Sequence, residues 1–212
     1  MNRAGRHYFW IFLISSTLYF VAGLINSLPF QQSRIVDIST QLDGYYFNAN
    51  AVWIYSLYYL LMIYPILGRQ SYEASVQLGR SILTFSVFAF FIFLLMPVEI
   101  FRPSESLIGS GLSSDALRFI YTIDQPYNCF PSLHVLHSWI IAVHFARQKQ
   151  EWAIIRFSLL LAAAGVTFST VIVRQHYVLD VVSSLVLASV WFLLSSLDKP
   201  QPKVFKTGAM AR

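Results

Sequence analysis

Residues 81–97 read SILTFSVFAFFIFLLMP, an apolar run that contains no charged side chain. Such a run is typical of a helix that crosses a lipid bilayer, because the apolar core of the bilayer requires roughly 17 to 25 such residues. Five more stretches have the same apolar character, namely residues 8–28, 51–67, 131–147, 155–173 and 177–197. The pattern predicts an all-α, polytopic membrane protein whose core is a bundle of six transmembrane helices.

The composition of the whole chain agrees with a membrane location. Hydrophobic residues make up 56% of the 212 residues, charged residues make up only 12%, and the mean hydropathy is +0.56. Soluble domains carry about 25% charged residues, so these values exclude an ordinary soluble protein. We therefore expect a single membrane-embedded domain over residues 1–212, with a cytoplasmic tail at about 198–212.

The distribution of basic residues predicts the orientation in the membrane. If the amino terminus is cytoplasmic, most of the 15 Lys and Arg residues lie on the cytoplasmic side, and the other side holds only Arg34, Arg102, Arg118 and Arg174. Cytoplasmic loops carry an excess of Lys and Arg, so both termini should be cytoplasmic. The first stretch lacks a cleavage site and is expected to be a retained helix rather than a signal peptide. The formal charge of +5 then reflects this topology and attraction to membrane lipids, and no nucleic-acid partner is expected.

A candidate anion site lies where an outward segment enters the fourth apolar stretch, in the sequence FPSLH at residues 130–134. Pro131 suits the first position of a helix. A helix that begins there directs the unpaired N–H groups near Ser132, Leu133 and His134 outward, with the positive end of the helix dipole behind them. Ser132 adds a hydroxyl donor, and His134 can carry a proton near neutral pH.

A second polar cluster, RQHYVLD at residues 174–180, begins the last apolar stretch on the same side of the membrane. His176 and Asp180 are four residues apart, so on a helix the carboxylate reaches the imidazole. The carboxylate then fixes the tautomer, and the second ring nitrogen presents its lone pair as a nucleophile or a base. A third element is the Arg102-Pro103 pair beyond residue 97, because an arginine can bind phosphate oxygens through two N–H groups.

These pieces together resemble the phosphatidic acid phosphatase type 2 superfamily, on the three motifs R-P, P-S-x-H and H-x-x-x-D. The resemblance implies that His176 is a nucleophile that forms a phosphohistidine, that Asp180 orients it, and that His134 protonates the leaving oxygen of a lipid phosphate. It further implies that Arg102 and Ser132 bind the phosphate, with the N–H of Leu133 beside them. The resemblance implies neither a metal nor a cofactor, and the expected location is a bacterial inner membrane with the site facing the periplasm or the outside.

Two basic residues of the family pattern are missing. Leu95 replaces a Lys or Arg seven residues before Arg102, and Thr170 replaces the arginine that usually follows Ser169. We expect Arg174 to take over the phosphate-binding duty. The departures resemble the inositol phosphorylceramide and sphingomyelin synthases, so a lipid headgroup phosphotransferase is an alternative to a phosphatase. A non-catalytic membrane scaffold is a second alternative. A transporter is disfavoured, because its ionisable groups would lie near the middle of the membrane.

Three further features have simpler explanations. His137 makes an H-x-x-H pattern with His134, but no carboxylate or cysteine in the pattern completes a metal site. His144 lies about 15 Å farther along the same helix and cannot share the site. The outward segment 29–50 is either a helix in the membrane interface or a packed connector; its apolar residues recur at roughly helical spacing, at Ile35, Ile38, Leu42, Tyr45 and Tyr46. The pattern indicates no particular oligomeric state.

Overall fold

The computed structural model describes residues 1–44, 46–149 and 151–197. Within these ranges the regular structure is helical, and β-type pairing is limited to an isolated bridge between Val98 and Asn128. The predicted all-α class is confirmed. The expected cytoplasmic tail at about 198–212 lies outside the described residues.

Ten α-helices are described, together with 3₁₀ turns at Gln41–Gly44 and Ala49–Ala51. The helices are α1 (Arg3–Asn26), α2 (Pro29–Gln32), α3 (Val52–Tyr55), α4 (Leu57–Leu67), α5 (Tyr72–Leu95), α6 (Glu105–Ile108), α7 (Leu112–Ile123), α8 (Leu133–Ala146), α9 (Ala153–Ile172) and α10 (Val178–Leu197). Five segments of the described chain are long and apolar enough to cross a membrane: Arg3–Asn26, Ala49–Leu67, Tyr72–Leu95, Ala153–Ile172 and Val178–Ser196. The chain is therefore an integral membrane protein.

The sixth predicted span, at residues 131–147, is represented by the shorter helix α8 of 14 residues. At 1.5 Å per residue α8 is about 21 Å long, which is less than the roughly 30 Å of a bilayer core. Helices α4, α5, α9 and α10 pack around it, and nearly all of its side chains are buried. Because protein rather than lipid surrounds α8, its length need not match the thickness of the bilayer.

Helix α5 begins earlier than the apolar pattern predicts. The predicted spans 51–67 and 81–97 leave residues 68–80 as the connector between them. In the structure α5 starts at Tyr72, capped by the hydroxyl of Ser71, which accepts a hydrogen bond from the N–H of Ala74 at 3.1 Å. The residues between Tyr72 and Arg80 include polar side chains, so hydropathy alone ends the span where the polar residues begin. The backbone continues as a helix because a good cap and helix-forming residues extend it past the apolar part.

The outward segment 29–50 forms a packed connector rather than an interfacial helix, as far as its described residues show. Its central contact is the buried carboxylate of Asp43, whose Oδ1 accepts a hydrogen bond from the N–H of Val178 at 2.7 Å. Its Oδ2 accepts from the N–H and the hydroxyl of Thr40 at 2.6 and 2.7 Å. A carboxylate at a helix N-terminus is stabilised by the helix dipole. Asp43 therefore fastens this connector to the start of α10, next to the predicted site.

Candidate active site

The first turn of α8 carries His134 and is positioned by Ser132. Ser132 is the N-cap of the helix, and its Oγ accepts a hydrogen bond from the N–H of Val135 at 3.3 Å. Pro131 was expected to be the first helical residue; instead it precedes the helix, after a cis peptide bond with Phe130. The helix thus begins two residues later than predicted, with Leu133 as its first residue, and His134 lies in the first turn with 5% of its surface exposed.

His176 and Asp180 are in contact, although not through a shared helix face. Helix α10 begins at Val178, so His176 lies in the turn before the helix, contrary to the expected helical i, i+4 arrangement. Asp180 Oδ2 lies 3.3 Å from His176 Nδ1 and accepts a hydrogen bond from the N–H of Tyr177 at 2.9 Å. The carboxylate therefore caps the start of its own helix and holds the imidazole at the same time.

The neighbours of His176 determine its tautomer. Besides Asp180, its Nδ1 lies 3.0 Å from the backbone carbonyl oxygen of Cys129. A carbonyl oxygen and a carboxylate both accept hydrogen bonds, so Nδ1 carries the proton. The lone pair of a neutral His176 is then on Nε2, which is the arrangement that a nitrogen nucleophile requires.

The two site histidines are directly hydrogen-bonded, with His134 Nδ1 at 3.1 Å from His176 Nε2. Because the lone pair of His176 is on Nε2, the hydrogen belongs to His134 Nδ1. Both rings are buried, at 5% and 3% exposure. The FPSLH cluster and the RQHYVLD cluster, which the sequence placed on the same side of the membrane, thus meet through their histidines.

A carboxylate that the sequence motifs did not indicate lies on the other side of His134. Asp124, at the end of α7, accepts hydrogen bonds from the hydroxyls of Tyr19 and Tyr55, the second at 3.1 Å. Tyr55 Oη is also 2.7 Å from His134 Nε2, and Asp124 Oδ2 is 3.5 Å from the same nitrogen. Tyr55 therefore connects the carboxylate to the imidazole.

The hydrogen bonds among Asp124, Tyr55 and His134 share one proton that can lie at either end of the group. Since Tyr55 has one hydroxyl hydrogen, its donation to Asp124 requires His134 Nε2 to donate to Tyr55, which makes the ring an imidazolium. If Tyr55 donates to His134 instead, the ring is neutral and the carboxyl of Asp124 holds the proton. Burial raises the pKa of the Asp124 carboxyl, while the hydrogen bonds from Tyr19 and Tyr55 oppose that rise. The shared proton thus lies on His134 in the first arrangement and on Asp124 in the second.

Arg102 packs against the end of α7. Its guanidinium donates to the carbonyl oxygens of Tyr121, at 2.7 Å, and of Asp124, and lies 4.3 Å from the centroid of the Tyr121 ring. Its Nε is buried and has no hydrogen-bond partner within the described chain. Arg102 thus supports the loop that carries Asp124, and its Nε remains available as a donor.

Arg174 follows Val173, whose carbonyl oxygen accepts a hydrogen bond from the Tyr121 hydroxyl. Its backbone adopts a positive φ of 52°, and its guanidinium donates to the carbonyl of Gly44 at 3.1 Å. As in Arg102, its Nε is buried and unpartnered among the described residues. Burial raises the pKa of the Tyr121 phenol, and the charges of Arg102 and Arg174 both oppose that rise. Arg102 thus contacts the Tyr121 ring directly, and Arg174 lies next to the residue that binds the Tyr121 hydroxyl, although the two arginines are far apart in the sequence.

A group of possible metal ligands overlaps this site, because Cys129, His176 and Asp180 each offer one ligand atom within 4.8 Å of the others. Cys129 Sγ donates to the carbonyl of Pro126 at 3.1 Å, and burial raises the pKa of its thiol well above the usual range. A thiol binds metals as the thiolate, which burial disfavours. Cys129 Sγ, His176 Nδ1 and Asp180 Oδ2 make hydrogen bonds, whereas Asp180 Oδ1 has no partner among the described residues.

The other two histidines of α8 have partners outside the site. His137 Nε2 lies 3.2 Å from Ser86 Oγ on α5, and His144 Nε2 lies 3.2 Å from Gln70 Oε1 near the opposite end of α8. The H-x-x-H pair does not belong to the described group of possible metal ligands.

An apolar cavity of about 230 Å³ leads to His134 from the side of the bundle. Its walls come from α1 and α4, and its inner end is formed by α8 and Asp124; the lining includes Phe12, Tyr19, Tyr58, Met62, Asp124 and His134. Three further lining residues, Phe20, Ile63 and Ile123, are more than a third exposed at the surface of the bundle. The cavity thus connects the lipid-facing surface with the buried histidine.

The fold and the site together define an integral membrane protein with a buried centre of two histidines and two carboxylates. The family model described as the PAP2 superfamily matches residues 43–194, and the chain belongs to this superfamily. The match includes every predicted site residue. Membership indicates an enzyme of the phosphatase or phosphotransferase type. No curated protein matches the chain.

Proposed function

We propose that the protein is a membrane phosphatase that removes phosphate from a lipid through a phosphohistidine intermediate. The observation that supports this proposal most strongly is the state of His176, whose Nδ1 is held by Asp180 and whose Nε2 keeps its lone pair. An imidazole in this state can attack phosphorus if an acid is available for the leaving oxygen.

The reaction requires two steps at this pair of histidines. In the first step His176 Nε2 forms a bond to phosphorus while the bond from phosphorus to the lipid oxygen breaks, and His134 transfers its proton to that oxygen. In the second step water attacks the phosphohistidine, and His134 accepts the proton of the water as inorganic phosphate leaves. In the structure the lone pair of His176 accepts a hydrogen bond from His134, so the phosphoryl group must replace that contact when the substrate binds.

Asp124 and Tyr55 would supply and store the proton that His134 transfers. Before the first step the shared proton lies on Asp124 or, relayed through Tyr55 at 2.7 Å from His134 Nε2, on His134. It leaves with the lipid oxygen in the first step and is regained from the attacking water in the second. A buried carboxylate also provides the countercharge for the imidazolium. We assign Asp124 as a positioning residue for the acid, because it contacts His134 rather than the phosphate.

The phosphate oxygens would be bound by the cations and donors around Tyr121 and the start of α8. Arg102 and Arg174 each retain an unpartnered Nε in the described structure, Ser132 offers a hydroxyl, and Leu133 offers an N–H at the helix N-terminus. A phosphoryl transition state spreads negative charge over its equatorial oxygens, so convergent donors stabilise it. Arg174 then compensates for Thr170, whose buried hydroxyl donates to the carbonyl of Thr167.

The apolar cavity between α1 and α4 supports a lipid substrate. Its exposed rim faces the surrounding lipid, and its inner end reaches the acid that would protonate the leaving oxygen. A lipid can therefore enter from the membrane with its apolar part between the two helices. The phosphotransferase alternative uses the same first step and differs only in whether an alcohol or water attacks the phosphohistidine.

The assay that tests the proposal uses protein in vesicles with labelled lipid phosphates, with and without a lipid alcohol as acceptor. We expect release of inorganic phosphate without the acceptor. Turnover that occurs only with the acceptor would assign the phosphotransferase instead. If no lipid phosphate is turned over under either condition, the protein is a scaffold rather than an enzyme.

We further propose six crossings, with α8 as the buried fourth, both termini in the cytoplasm of a bacterium, and the site facing the periplasm. Ser110 and Lys149 are exposed in loops at opposite ends of the bundle, and the native Cys129 is 2% exposed, so background labelling should be low. A cysteine at position 110 should react with an impermeant thiol reagent in intact cells, and a cysteine at position 149 only after permeabilisation. The reverse pattern would place the site in the cytoplasm.

A further inference from the structure

Two buried polar atoms of residues that line the apolar cavity have no hydrogen-bond partner in the described part of the chain. They are Ser15 Oγ on α1 and His137 Nδ1 on α8, and the two residues are 4% and 2% exposed. A serine within a helix commonly donates to the carbonyl four residues earlier, as Ser86 does to Ile82 at 2.8 Å, but Ser15 makes no such bond. An unsatisfied buried polar group is costly, so a pair of them in one cavity requires a cause.

The contacts of His137 determine which kind of group its free nitrogen can bind. Ser86 donates its only hydroxyl hydrogen to Ile82, so the 3.2 Å contact between Ser86 Oγ and His137 Nε2 uses a hydrogen from the histidine. No carboxylate is described in contact with His137, so the ring is treated as neutral. With its proton on Nε2, the ring presents Nδ1 as an acceptor only. A partner for His137 Nδ1 must therefore be a hydrogen-bond donor.

His137 lies close to His134, the residue that would meet the scissile oxygen of the substrate. His137 follows His134 by three residues on the same face of α8, which places it about 4.5 Å deeper along the helix axis. Both residues line the cavity. A lipid whose scissile oxygen lies at His134 therefore brings the atoms two or three bonds beyond that oxygen to the level of His137.

We propose that the cavity selects a phosphorylated lipid with a hydrogen-bond donor, either a hydroxyl or an amide N–H, two or three bonds beyond the scissile oxygen. This inference rests on the proposed function, because it uses His134 as the group that meets the scissile oxygen. His137 Nδ1 accepts from the donor, and Ser15 Oγ bonds the same polar group from the opposite wall. Fully esterified glycerolipids and polyprenyl phosphates have no donor at this level and leave both atoms unpaired.

The test uses pairs of lipids that differ in this donor alone. A 1-acylglycerol 3-phosphate carries a free 2-hydroxyl, and its 2-deoxy counterpart does not; a phosphorylated 2-(acylamino)alkan-1-ol supplies an amide N–H instead. We expect kcat/KM for a donor lipid to exceed that for the 2-deoxy lipid by roughly tenfold or more, because a missing partner leaves buried groups unsatisfied. Preference for the amide or for the hydroxyl lipid identifies which donor is recognised. Equal values for all three lipids would overturn the inference.

Two variants separate recognition from folding. In His137→Leu the ratio of kcat/KM between the donor lipid and the 2-deoxy lipid should fall to nearly one. His144→Leu, which removes a buried histidine of the same helix outside the cavity, should keep the wild-type ratio. If His137→Leu fails to fold, Ser15→Ala replaces it and should reduce the preference. A preference that is unchanged in a folded His137→Leu or Ser15→Ala protein contradicts the inference.

A binding experiment keeps this inference distinct from the proposed function. The His176→Ala protein is titrated in detergent with 1-acylglycerol, with its 2-deoxy counterpart and with the 2-(acylamino)alkan-1-ol, and the shift in the thermal transition is followed. Tighter binding of a donor alcohol, lost on addition of His137→Leu, supports the recognition site even if no lipid phosphate is turned over. Equal binding of the three alcohols contradicts it, whatever the catalytic assays give.

Discussion

Replacing His176 by alanine should abolish the phosphoenzyme and lower kcat/KM by a factor on the order of 10⁴ to 10⁶, as removal of a nucleophile typically does. The expectation follows from geometry, because His176 carries its lone pair on Nε2, facing His134, while Asp180 and the carbonyl of Cys129 fix the ring through Nδ1. The measurement is rapid quenching with a labelled lipid phosphate, followed by detection of an acid-labile phosphohistidine.

The matched control for this variant is His144→Ala. His144 is also a buried histidine, but it contacts Gln70 at the other end of α8, so its loss should leave the phosphoenzyme intact. Asp180→Asn should retain the nucleophile but orient it poorly, and should therefore form the phosphoenzyme slowly rather than not at all. A phosphoenzyme that persists at the wild-type level in His176→Ala would assign the covalent step to another residue.

The sequence predicted the apolar part of the fold because composition alone determines where a chain can lie in a bilayer. Five predicted spans correspond to helices that can cross a membrane. The predicted start of a span is wrong where the helix extends into polar residues, as between Tyr72 and Arg80. The length of α8 could not be predicted, because it depends on enclosure by four other helices.

The motif residues of the candidate site could be found because each lies in a short pattern with its own chemistry. His134 and His176 come from separate patterns, and the structure places their ring nitrogens 3.1 Å apart. Asp124 and Tyr55 could not be found in this way, because they are 69 residues apart and their contact exists only after α3 and α7 have packed. The sequence gives only one hint of Asp124, its position ten residues before His134, and other acidic residues of the same outward segment make that hint unspecific.

Asp43 is another residue whose long-range contact could not be predicted from the sequence, although it supports the site. In the sequence it lies in an outward connector and could belong to an interfacial helix. In the structure it binds the N–H of Val178, which is 135 residues away, and so contributes to the start of the helix that carries Asp180. Helical periodicity describes which residues share a face, but it carries no information about which distant backbone group a buried carboxylate will cap.

The second large effect is expected at Asp124. In Asp124→Asn the amide cannot hold or release a proton, and the imidazolium form of His134 loses its countercharge, so His134 carries its transferable proton only at lower pH. The high-pH limb of the activity profile should therefore move to lower pH, and kcat/KM for a lipid phosphate near pH 7 should fall by about 10²-fold, the usual size of a general-acid contribution.

The leaving group distinguishes this role from a structural one. An aryl phosphate lipid leaves as a stable phenolate and needs little help from an acid, so Asp124→Asn should affect its turnover far less than that of the alkyl phosphate. Asp115→Asn is the matched control, because Asp115 lies in α7, is exposed, and pairs with Arg118 at 3.1 Å away from the site. It should leave both substrates unchanged. Equal losses on the aryl and alkyl phosphates in Asp124→Asn would mean that Asp124 merely holds α7 in place, and the proton on His134 would then need another source.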